Sequence, residues 1–248
     1  MAERRRPLSV FAVPLRLPLH GTARARGCAG ALGLSLALLA GQAQAGAQRE
    51  EALSDAVRLG LQAAITQQAP PQSPHTDAAQ ASAFEAWLAQ AQQALHTRLR
   101  PRASAARSAP SSSVPAHELD APALQREFLQ TVWYESRRAG LSPSLVLGLI
   151  EVESGFRKFA ISSAGARGYM QVMPFWPRQL VGTDGAELFH TQANLRYGCV
   201  ILRHYLDREQ GDLVLALGRY NGSRGQRAYP DAVLAAQKKW ARSAGPID

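Results

Sequence analysis

The stretch LGLIEVESGF, residues 147–156, contains two glutamates separated by a single valine. Successive residues of an α-helix are rotated by about 100°, so the carboxylates of Glu151 and Glu153 point to nearly opposite sides of a helix. Glu153 continues an apolar face whose earlier members lie seven, four and three residues before it, at Val146, Leu149 and Ile150. We therefore expect Glu153 to be buried and Glu151 to face solvent.

The position of Glu153 favours a carboxyl group that keeps its proton. Burial disfavours the charged form of a carboxyl and raises its pKa. Gly155 predicts that the helix ends close to Glu153, where the negative end of the helix dipole acts in the same direction. A carboxyl that is protonated near neutral pH suits general acid catalysis. On spacing alone, a glutamate that reaches past the helix end into water remains the alternative.

Apolar residues at helical spacing continue on both sides of this stretch. One predicted helix carries Leu124, Phe128, Val132 and Trp133 and ends near Gly140. Further helices are predicted over about 143–155, 192–206, 212–220 and 229–240, with no alternating strand pattern and no internal repeat. Residues 119–248 are therefore predicted to form one all-α domain.

The preceding residues, 46–100, predict two more helices. The second helix carries an apolar stripe that must be buried on the following domain or on a partner: Phe84, Trp87, Leu88, Ala91, Leu95 and Leu99. Residues 101–118 are rich in proline, serine and alanine and have no periodic apolar face. This composition predicts a flexible linker.

Residues 1–45 have the pattern of a secretion signal. A basic stretch leads to an apolar run over 28–41 that is short for a membrane span. The tripeptide AQA, at 43–45, fits the small-residue pattern that signal peptidase reads. We expect cleavage after Ala45 and delivery to the periplasm with no membrane span left, an uncleaved tethering helix being the alternative. Cleavage would leave Cys199 alone and unable to form an internal disulfide.

The charge and the motif content exclude several classes of partner. Residues 1–45 contribute +5 of the net +9, so the remaining +4 is too small and dispersed to indicate nucleic acid. We find no metalloprotease helix, EF-hand loop, cysteine–histidine cluster or phosphate-binding glycine loop. His190 and His204 are isolated and are interpreted as structural. We therefore predict neither a metal nor a cofactor.

Three motifs carry a family resemblance. They are ESGFRKFAISSAGARGYMQVMPFW over 153–176, NLRYGCVILRHYL over 194–206 and RYNGS over 219–223. Their content and order resemble the soluble lytic transglycosylases of family 1, whose motifs include E-S-x-F, then S-x-x-G-A-x-G-(L/Y)-M-Q-x-M-P, and later A-Y-N-(A/G). The resemblance extends over about residues 119–240 and leaves 46–118 outside it.

The resemblance implies a lysozyme-like α-domain that acts on peptidoglycan. Such enzymes cleave the β-1,4 bond between N-acetylmuramic acid and N-acetylglucosamine without adding water. The C6 hydroxyl of the muramic acid attacks instead and leaves a 1,6-anhydro end. Glycosidases with two carboxylates divide the proton transfers between them, whereas here one glutamate donates a proton and then accepts one.

The resemblance also implies which residues form the site. Glu153 is the expected general acid and base. Ser162 resembles the serine that supports the N-acetyl group of the sugar, and Gln171 and Met173 resemble residues that line the groove. The alternatives are a loop hydroxyl for Ser162, an exposed polar side chain for Gln171 and a core side chain for Met173.

Two further sets of residues complete the expected site. Tyr220 resembles the tyrosine that hydrogen-bonds near the catalytic carboxyl, and Asn221 is its neighbour in that motif; a core tyrosine and an ordinary turn are the alternatives. Aromatic rings can also stack on sugars, and the candidates are Phe175, Trp176 and Tyr229. Aromatic residues are, however, more often part of a core.

Two other functions remain open at this stage. A hydrolytic muramidase would need a second carboxylate to activate water, and Asp184 and Glu187 are the nearest candidates. An inverting enzyme would place the two carboxyls about 6.5–9.5 Å apart. A wall-binding accessory subunit of an envelope-spanning machine is the other alternative, with residues 46–118 as its docking region.

Overall fold

The computed structural model describes residues 48–66, 78–100 and 118–244. The predicted signal peptide, 1–45, and all but the last residue of the predicted linker, 101–118, lie outside the described residues. All of the described residues belong to one unit, Gly41–Asp248.

Helices dominate the described part of the chain. Its eight α-helices are α1 (Asp55–Thr66), α2 (Ala78–Leu99), α3 (Pro122–Arg138), α4 (Pro143–Glu153), α5 (Phe175–Val181), α6 (Thr191–Arg208), α7 (Leu213–Asn221) and α8 (Ala228–Ala244). A short 3₁₀ helix covers Ala186–Phe189. Within the same residues, β-structure is limited to two isolated bridges, Ile161 to Arg167 and Arg167 to Val172. The all-α prediction is confirmed, while α5 and the 3₁₀ helix were not predicted.

Helix α4 is the element that carries Glu153, and it packs closely on α8. Ser142 caps its first turn by accepting a hydrogen bond from Leu145 N at 3.3 Å. The close approach of the two helices depends on Gly148, because a Cβ atom there would lie 2.6 Å from the backbone nitrogen of Gln237. The helix ends at Glu153, close to where Gly155 predicts its end.

The N-terminal helices are part of this same packed unit. Five of the six stripe residues of α2 are buried and the sixth, Leu99, is half-buried against the core. They pack on α3 and α8, so this stripe is not available to a partner. Helix α1 lies against α5 and α6. Its carboxyl end is held by Arg138, whose Nη2 donates to Ala64 O at 2.5 Å, in keeping with the preference of helix C-termini for cations.

One expectation about an individual side chain was wrong, that for Glu151, and one apolar residue of α3 lies outside the core. Leu124 is 47% exposed, because in the first turn of α3 it is Gln125 that turns inward and donates to Leu119 O at 2.8 Å. Glu151 does not extend freely into solvent. It is half-buried and accepts hydrogen bonds from Trp240 Nε1 at 2.7 Å and from Arg98 Nε at 3.2 Å.

Candidate active site

Glu153 lies at the carboxyl end of α4 with only 5% of its surface exposed. Its Oε1 accepts a hydrogen bond from the Tyr229 hydroxyl at 2.5 Å, while its Oε2 is buried and has no hydrogen-bond partner among the described residues. Burial raises the pKa of Glu153 to about 8, and the Tyr229 hydrogen bond opposes this rise. The carboxyl is therefore protonated at neutral pH.

The packing of α4 on α8 creates this pair. Tyr229 is the second residue of α8 and Glu153 is the last residue of α4, so the contact at Gly148 sets the distance between them. Burial raises the pKa of Tyr229 well above its usual value, and the nearby Glu153 carboxyl acts in the same direction. Tyr229 consequently remains a hydrogen-bond donor across the physiological range of pH.

The loop that follows α4 is fixed at both of its ends. At the start, the buried Ser154 hydroxyl donates to Tyr169 O at 2.7 Å. At the end, Gln171 adopts a φ of 48°, which is uncommon for a residue other than glycine. The Gln171 side chain is buried, and its Nε2 donates to Gly168 O at 2.8 Å and to Ala160 O at 3.1 Å. Gln171 therefore binds two backbone carbonyls of the loop.

Asn194, at the start of α6, ties the same loop to the helix behind it. Its Oδ1 accepts from Met170 N at 2.8 Å, and its Nδ2 donates to Arg167 O at 2.9 Å and to Leu188 O at 2.8 Å. A side chain on Gly168 would collide with this amide at 2.3 Å. The motif beginning with Asn194 thus serves to hold the loop in place.

Ser162 and Met173 lie on the same stretch of chain as Gln171. The Ser162 hydroxyl accepts from Ala166 N at 3.1 Å within a turn of the loop. Both Ser162 and Met173 are half-buried. Each therefore retains some surface that a ligand can contact.

Tyr220 and Asn221 lie at the end of α7, and both are buried. The Tyr220 hydroxyl donates to Met170 O at 2.8 Å rather than to the Glu153 carboxyl. The direct partner of that carboxyl is Tyr229, whose sequence context predicted only a candidate stacking ring. Tyr229 is 76 residues from Glu153 along the chain and lies outside the three motifs, so no local signal connected them.

The proposed stacking rings are not at the surface. Phe175, Trp176 and Tyr229 are 6%, 2% and 4% exposed, so of the two alternatives the core position holds for all three rings. The reason is that α5 inserts Phe175 and Trp176 into the core, where the rings lie 5.3 Å apart. Trp176 Nε1 also donates to the buried Gln48 Oε1 at 2.9 Å.

The two candidate second carboxylates are occupied elsewhere. Asp184 Oδ1 accepts from Ala186 N at 2.9 Å and its side chain is exposed. Glu187 accepts a hydrogen bond from the Thr183 hydroxyl. Burial and Tyr229 are the causes that set the pKa of Glu153, and no other carboxylate of the described residues is among them. Residues 48–66, 78–100 and 118–244 also contain no cluster of His, Cys, Asp and Glu suited to a metal ion.

The fold and the buried acid define a class of protein, an all-α domain with a buried, protonated glutamate at a helix end. Comparison with protein families agrees with this class, since residues 131–241 match the transglycosylase SLT domain. Residues 131–241 are therefore similar to the SLT domain family, over less than half of the chain. The predicted SLT domain agrees with this match, and the predicted helical region before it agrees with α1 and α2.

Several curated proteins are similar to parts of the chain. The transglycosylase of Enterobacteria phage PRD1 is 30% identical over 128 residues, which cover 49% of this chain and 47% of that protein. Membrane-bound lytic murein transglycosylase C of Actinobacillus pleuropneumoniae is 49% identical over 49 residues, or 20% of this chain and 13% of that protein. The chain thus spans less than half the length of these relatives.

A solved structure also aligns with the chain. An inactive mutant of the lytic transglycosylase Slt from Pseudomonas aeruginosa matches 46% of this chain and 22% of its own, at 23% identity and a TM-score of 0.35. Within the described residues, no helix is long and apolar enough to cross a membrane.

Proposed function

We propose that the protein is a peptidoglycan lytic transglycosylase in which Glu153 is the single general acid and base. The observation that carries this proposal is the buried Glu153 carboxyl, whose pKa is raised to about 8 and whose hydrogen-bond partner is a tyrosine and not a second carboxylate. The match of residues 131–241 to the SLT domain supports the same reaction class.

The proposed reaction uses the two protonation states of Glu153 in turn. The protonated carboxyl donates to the oxygen that leaves C1 of N-acetylmuramic acid, and the C1–O bond breaks as the sugar ring becomes positively charged. The resulting carboxylate then removes the proton from the C6 hydroxyl, whose oxygen forms the new bond to C1. The proton returns to Glu153, so no water or cofactor is consumed.

The two oxygens of Glu153 are suited to different parts of this cycle. Tyr229 donates to Oε1 and stabilises the carboxylate that forms when the proton leaves. Oε2 has no partner in the described part of the chain, so a glycosidic oxygen can accept its proton without displacing another hydrogen bond. Because Glu153 is buried, the surrounding chain must open locally when a glycan strand enters, and the bound strand then excludes water from the positive sugar.

The remaining site residues have two kinds of role in this proposal. Ser162 and Met173, which are half-buried, contact the sugar. Gln171 and Tyr220 are buried and support the loop between Glu153 and Gln171, since both donate hydrogen bonds to its backbone carbonyls. Asn221, the residue after Tyr220, is buried as well. Substitutions at these buried residues are expected to change the position of the loop more than the affinity for a single sugar.

The setting of the reaction is part of the proposal. A relative of this chain is called a membrane-bound lytic murein transglycosylase, and murein is the peptidoglycan of the cell wall. We place this protein in the periplasm on the strength of the signal pattern in residues 1–45. The glycan strand of peptidoglycan is the proposed binding partner, and a docking partner in the envelope would have to use surfaces other than the buried stripe of α2.

The test is a digest of purified sacculi with the protein and with its Glu153→Gln variant. Mass spectrometry identifies the sugar ends that are released. We expect 1,6-anhydro-muramic ends from the wild type and a loss of about 10²–10⁴-fold in the variant. Asp184→Asn and Glu187→Gln serve as matched controls and should keep the wild-type rate.

The alternatives give different products. Reducing ends that depend on Asp184 or Glu187 would establish a hydrolytic muramidase and overturn the single-carboxylate proposal. Binding to sacculi without cleavage would instead indicate the accessory-subunit role. A folded Glu153→Gln variant with wild-type activity would remove Glu153 from the reaction altogether.

A further inference from the structure

The loop between Glu153 and Gln171 carries an exposed apolar surface that the reaction does not use. Phe159 is 58% exposed and Ile161 is 65% exposed. They are two of the four large hydrophobic side chains that are exposed in the described part of the chain, the others being Leu59 and Leu124. Single exposed hydrophobic residues are common on proteins, but these two lie two positions apart on the loop that leads from Glu153 and form a candidate contact surface.

This exposure occurs on a backbone that is held in place. Gly168 N donates to Ala160 O at 2.9 Å, and the Gln171 amide donates to the same carbonyl. Ser162 N donates to Ala166 O at 3.0 Å, and Ile161 forms a bridge with Arg167. Because the hydrogen bonds around them fix the chain, the side chains of Phe159 and Ile161 are presented to solvent in a defined geometry.

A second aromatic ring and two cations extend the surface. The ring of Phe159 lies 5.9 Å from that of Phe189, with an angle of 42° between the planes. The Lys158 ammonium lies 5.4 Å from the Phe159 ring and the Arg167 guanidinium 5.9 Å from the Phe189 ring. Arg167 is also fixed by a hydrogen bond of 3.1 Å to Asp184 O. We call these five residues the loop surface.

We propose that the loop surface binds the stem peptides of peptidoglycan. This inference rests on the proposed function. Stem peptides are attached to muramic acid, so they emerge beside the bond that Glu153 would cleave, and they carry both methyl groups and free carboxylates. The exposed Phe159 and Ile161 side chains match the methyl groups, and the cations at Lys158 and Arg167 match the carboxylates.

A bare sugar is a poorer fit to the same surface. Sugars stack on the open faces of aromatic rings, whereas here cations lie over the rings of Phe159 and Phe189. A cation held over a ring favours an anionic ligand, which the uncharged backbone of the glycan does not provide. The loop surface should therefore distinguish glycan strands with peptides from strands without them.

The experiment compares two substrates. One is soluble glycan strands that carry stem peptides, and the other is the same strands after an amidase has removed the peptides. The full chain is tested as wild type, as Phe159→Ala and as Ile161→Ala. We expect each variant to lose about tenfold in kcat/KM on the peptide-bearing strands, equivalent to about 1.4 kcal/mol, and to change less than about twofold on the bare strands.

Matched controls come from the other two exposed hydrophobic side chains. Leu59→Ala on α1 and Leu124→Ala on α3 remove a similar apolar side chain from another exposed position. Both should behave as the wild type on both substrates. Lys158→Gln should weaken binding to the peptide-bearing strands only, and its effect should fade as the salt concentration rises.

Binding is also measured with Glu153→Gln as the background, so that the result does not depend on catalysis. An equal loss on both substrates would mean that the loop surface contacts the glycan, and no loss on either would mean that it is an ordinary exposed patch. Either result overturns the stem-peptide proposal. If the wild type releases no anhydro ends, the proposed function fails, while the binding comparison still decides the role of the loop surface.

Discussion

Two buried glutamates in this molecule have opposite surroundings. Glu135 on α3 is 1% exposed and accepts hydrogen bonds from Arg138 and Arg196, at 3.1 Å and 2.8 Å. Glu153 on α4 is 5% exposed, and its one hydrogen-bond donor in the described part of the chain is the uncharged hydroxyl of Tyr229. The two residues are similarly buried, so their partners account for the difference in chemistry.

The comparison separates structural burial from functional burial. The negative charge of Glu135 is compensated by two arginines, and Arg138 in turn holds the carboxyl end of α1. Glu153 has no such compensation, so burial raises its pKa to about 8 and the group keeps a proton that it can donate. A buried carboxylate with cations supports the fold, whereas a buried carboxyl without them is suited to acid catalysis.

The largest expected effects come from two matched substitutions. Glu135→Gln should lower stability, and Glu153→Gln should lower activity. Glu135→Gln removes the charge of a buried carboxylate that two largely buried arginines contact and should lower the free energy of unfolding by about 3 kcal/mol. Glu153→Gln replaces a neutral carboxyl with a neutral amide of similar shape. It should match the stability of the wild type below about pH 4.5 and exceed it at neutral pH, where only the wild type gives up a proton on unfolding, while activity on sacculi falls by about 10²–10⁴-fold. Chemical denaturation together with the release of anhydro-muropeptides would measure both effects.

The reverse pattern would contradict the comparison. If Glu153→Gln unfolded the domain while Glu135→Gln only slowed cleavage, Glu153 would be the structural residue. Glu135→Asp is a useful control, because it keeps the charge but shortens the side chain, and it should recover part of the stability that Glu135→Gln loses.

The second largest expected effect is that Glu153 makes the stability of the protein depend on pH. The pKa of Glu153 is about 8 in the folded chain and 4.5 as its ordinary value, so between these values the folded state binds a proton that the unfolded state has released. The stability that Glu153 contributes is therefore full below about pH 4.5 and is lost as the pH rises towards 8, at about 1.4 kcal/mol per pH unit. Glu153→Gln should lack this slope, and denaturation of both proteins from pH 5 to 8 would reveal the difference. Parallel curves would show that Glu153 ionises normally.

A smaller effect is expected from Tyr229→Phe. The Tyr229 hydrogen bond lowers the pKa of Glu153 against the larger effect of burial, so removing the hydroxyl should raise that pKa further. The alkaline limb of kcat/KM should move to higher pH, and the rate at neutral pH should fall by about tenfold because the carboxylate formed during the reaction loses its donor. A purely structural role for Tyr229 would lower activity without moving the limb. Tyr205→Phe, at another buried tyrosine, is the control.

The sequence predicted most of the helices and the burial of Glu153 because both depend on local spacing. Ile150, on the apolar face, and Gly155, which marks the helix end, are only a few residues from Glu153. The prediction that the apolar stripe of α2 is buried was also correct, since an apolar face of that size must pack on another part of the protein or on a partner. The roles of Ser162, Gln171, Met173, Tyr220 and Asn221 stay predictions.

The parts that could not be predicted depend on contacts between distant segments. Tyr229 meets Glu153 only because Gly148 lets α8 approach α4. Phe175 and Trp176 are buried because the unpredicted helix α5 carries them inward. Neither arrangement leaves a periodic pattern in the residues around it, so spacing arguments had nothing to detect.

The smallest effect concerns Glu151, the neighbour that shares α4 with Glu153. Glu151 accepts from Trp240 Nε1 and Arg98 Nε, and its side chain is 31% exposed. Glu151→Gln keeps an acceptor for the indole and loses only a partly screened ion pair, so stability should fall by no more than about 1 kcal/mol and cleavage should continue at the wild-type rate. Thermal unfolding and the sacculus digest would test this directly. A loss of activity as large as that of Glu153→Gln would mean that the charge on either side of α4 matters, and that burial does not by itself select the catalytic glutamate.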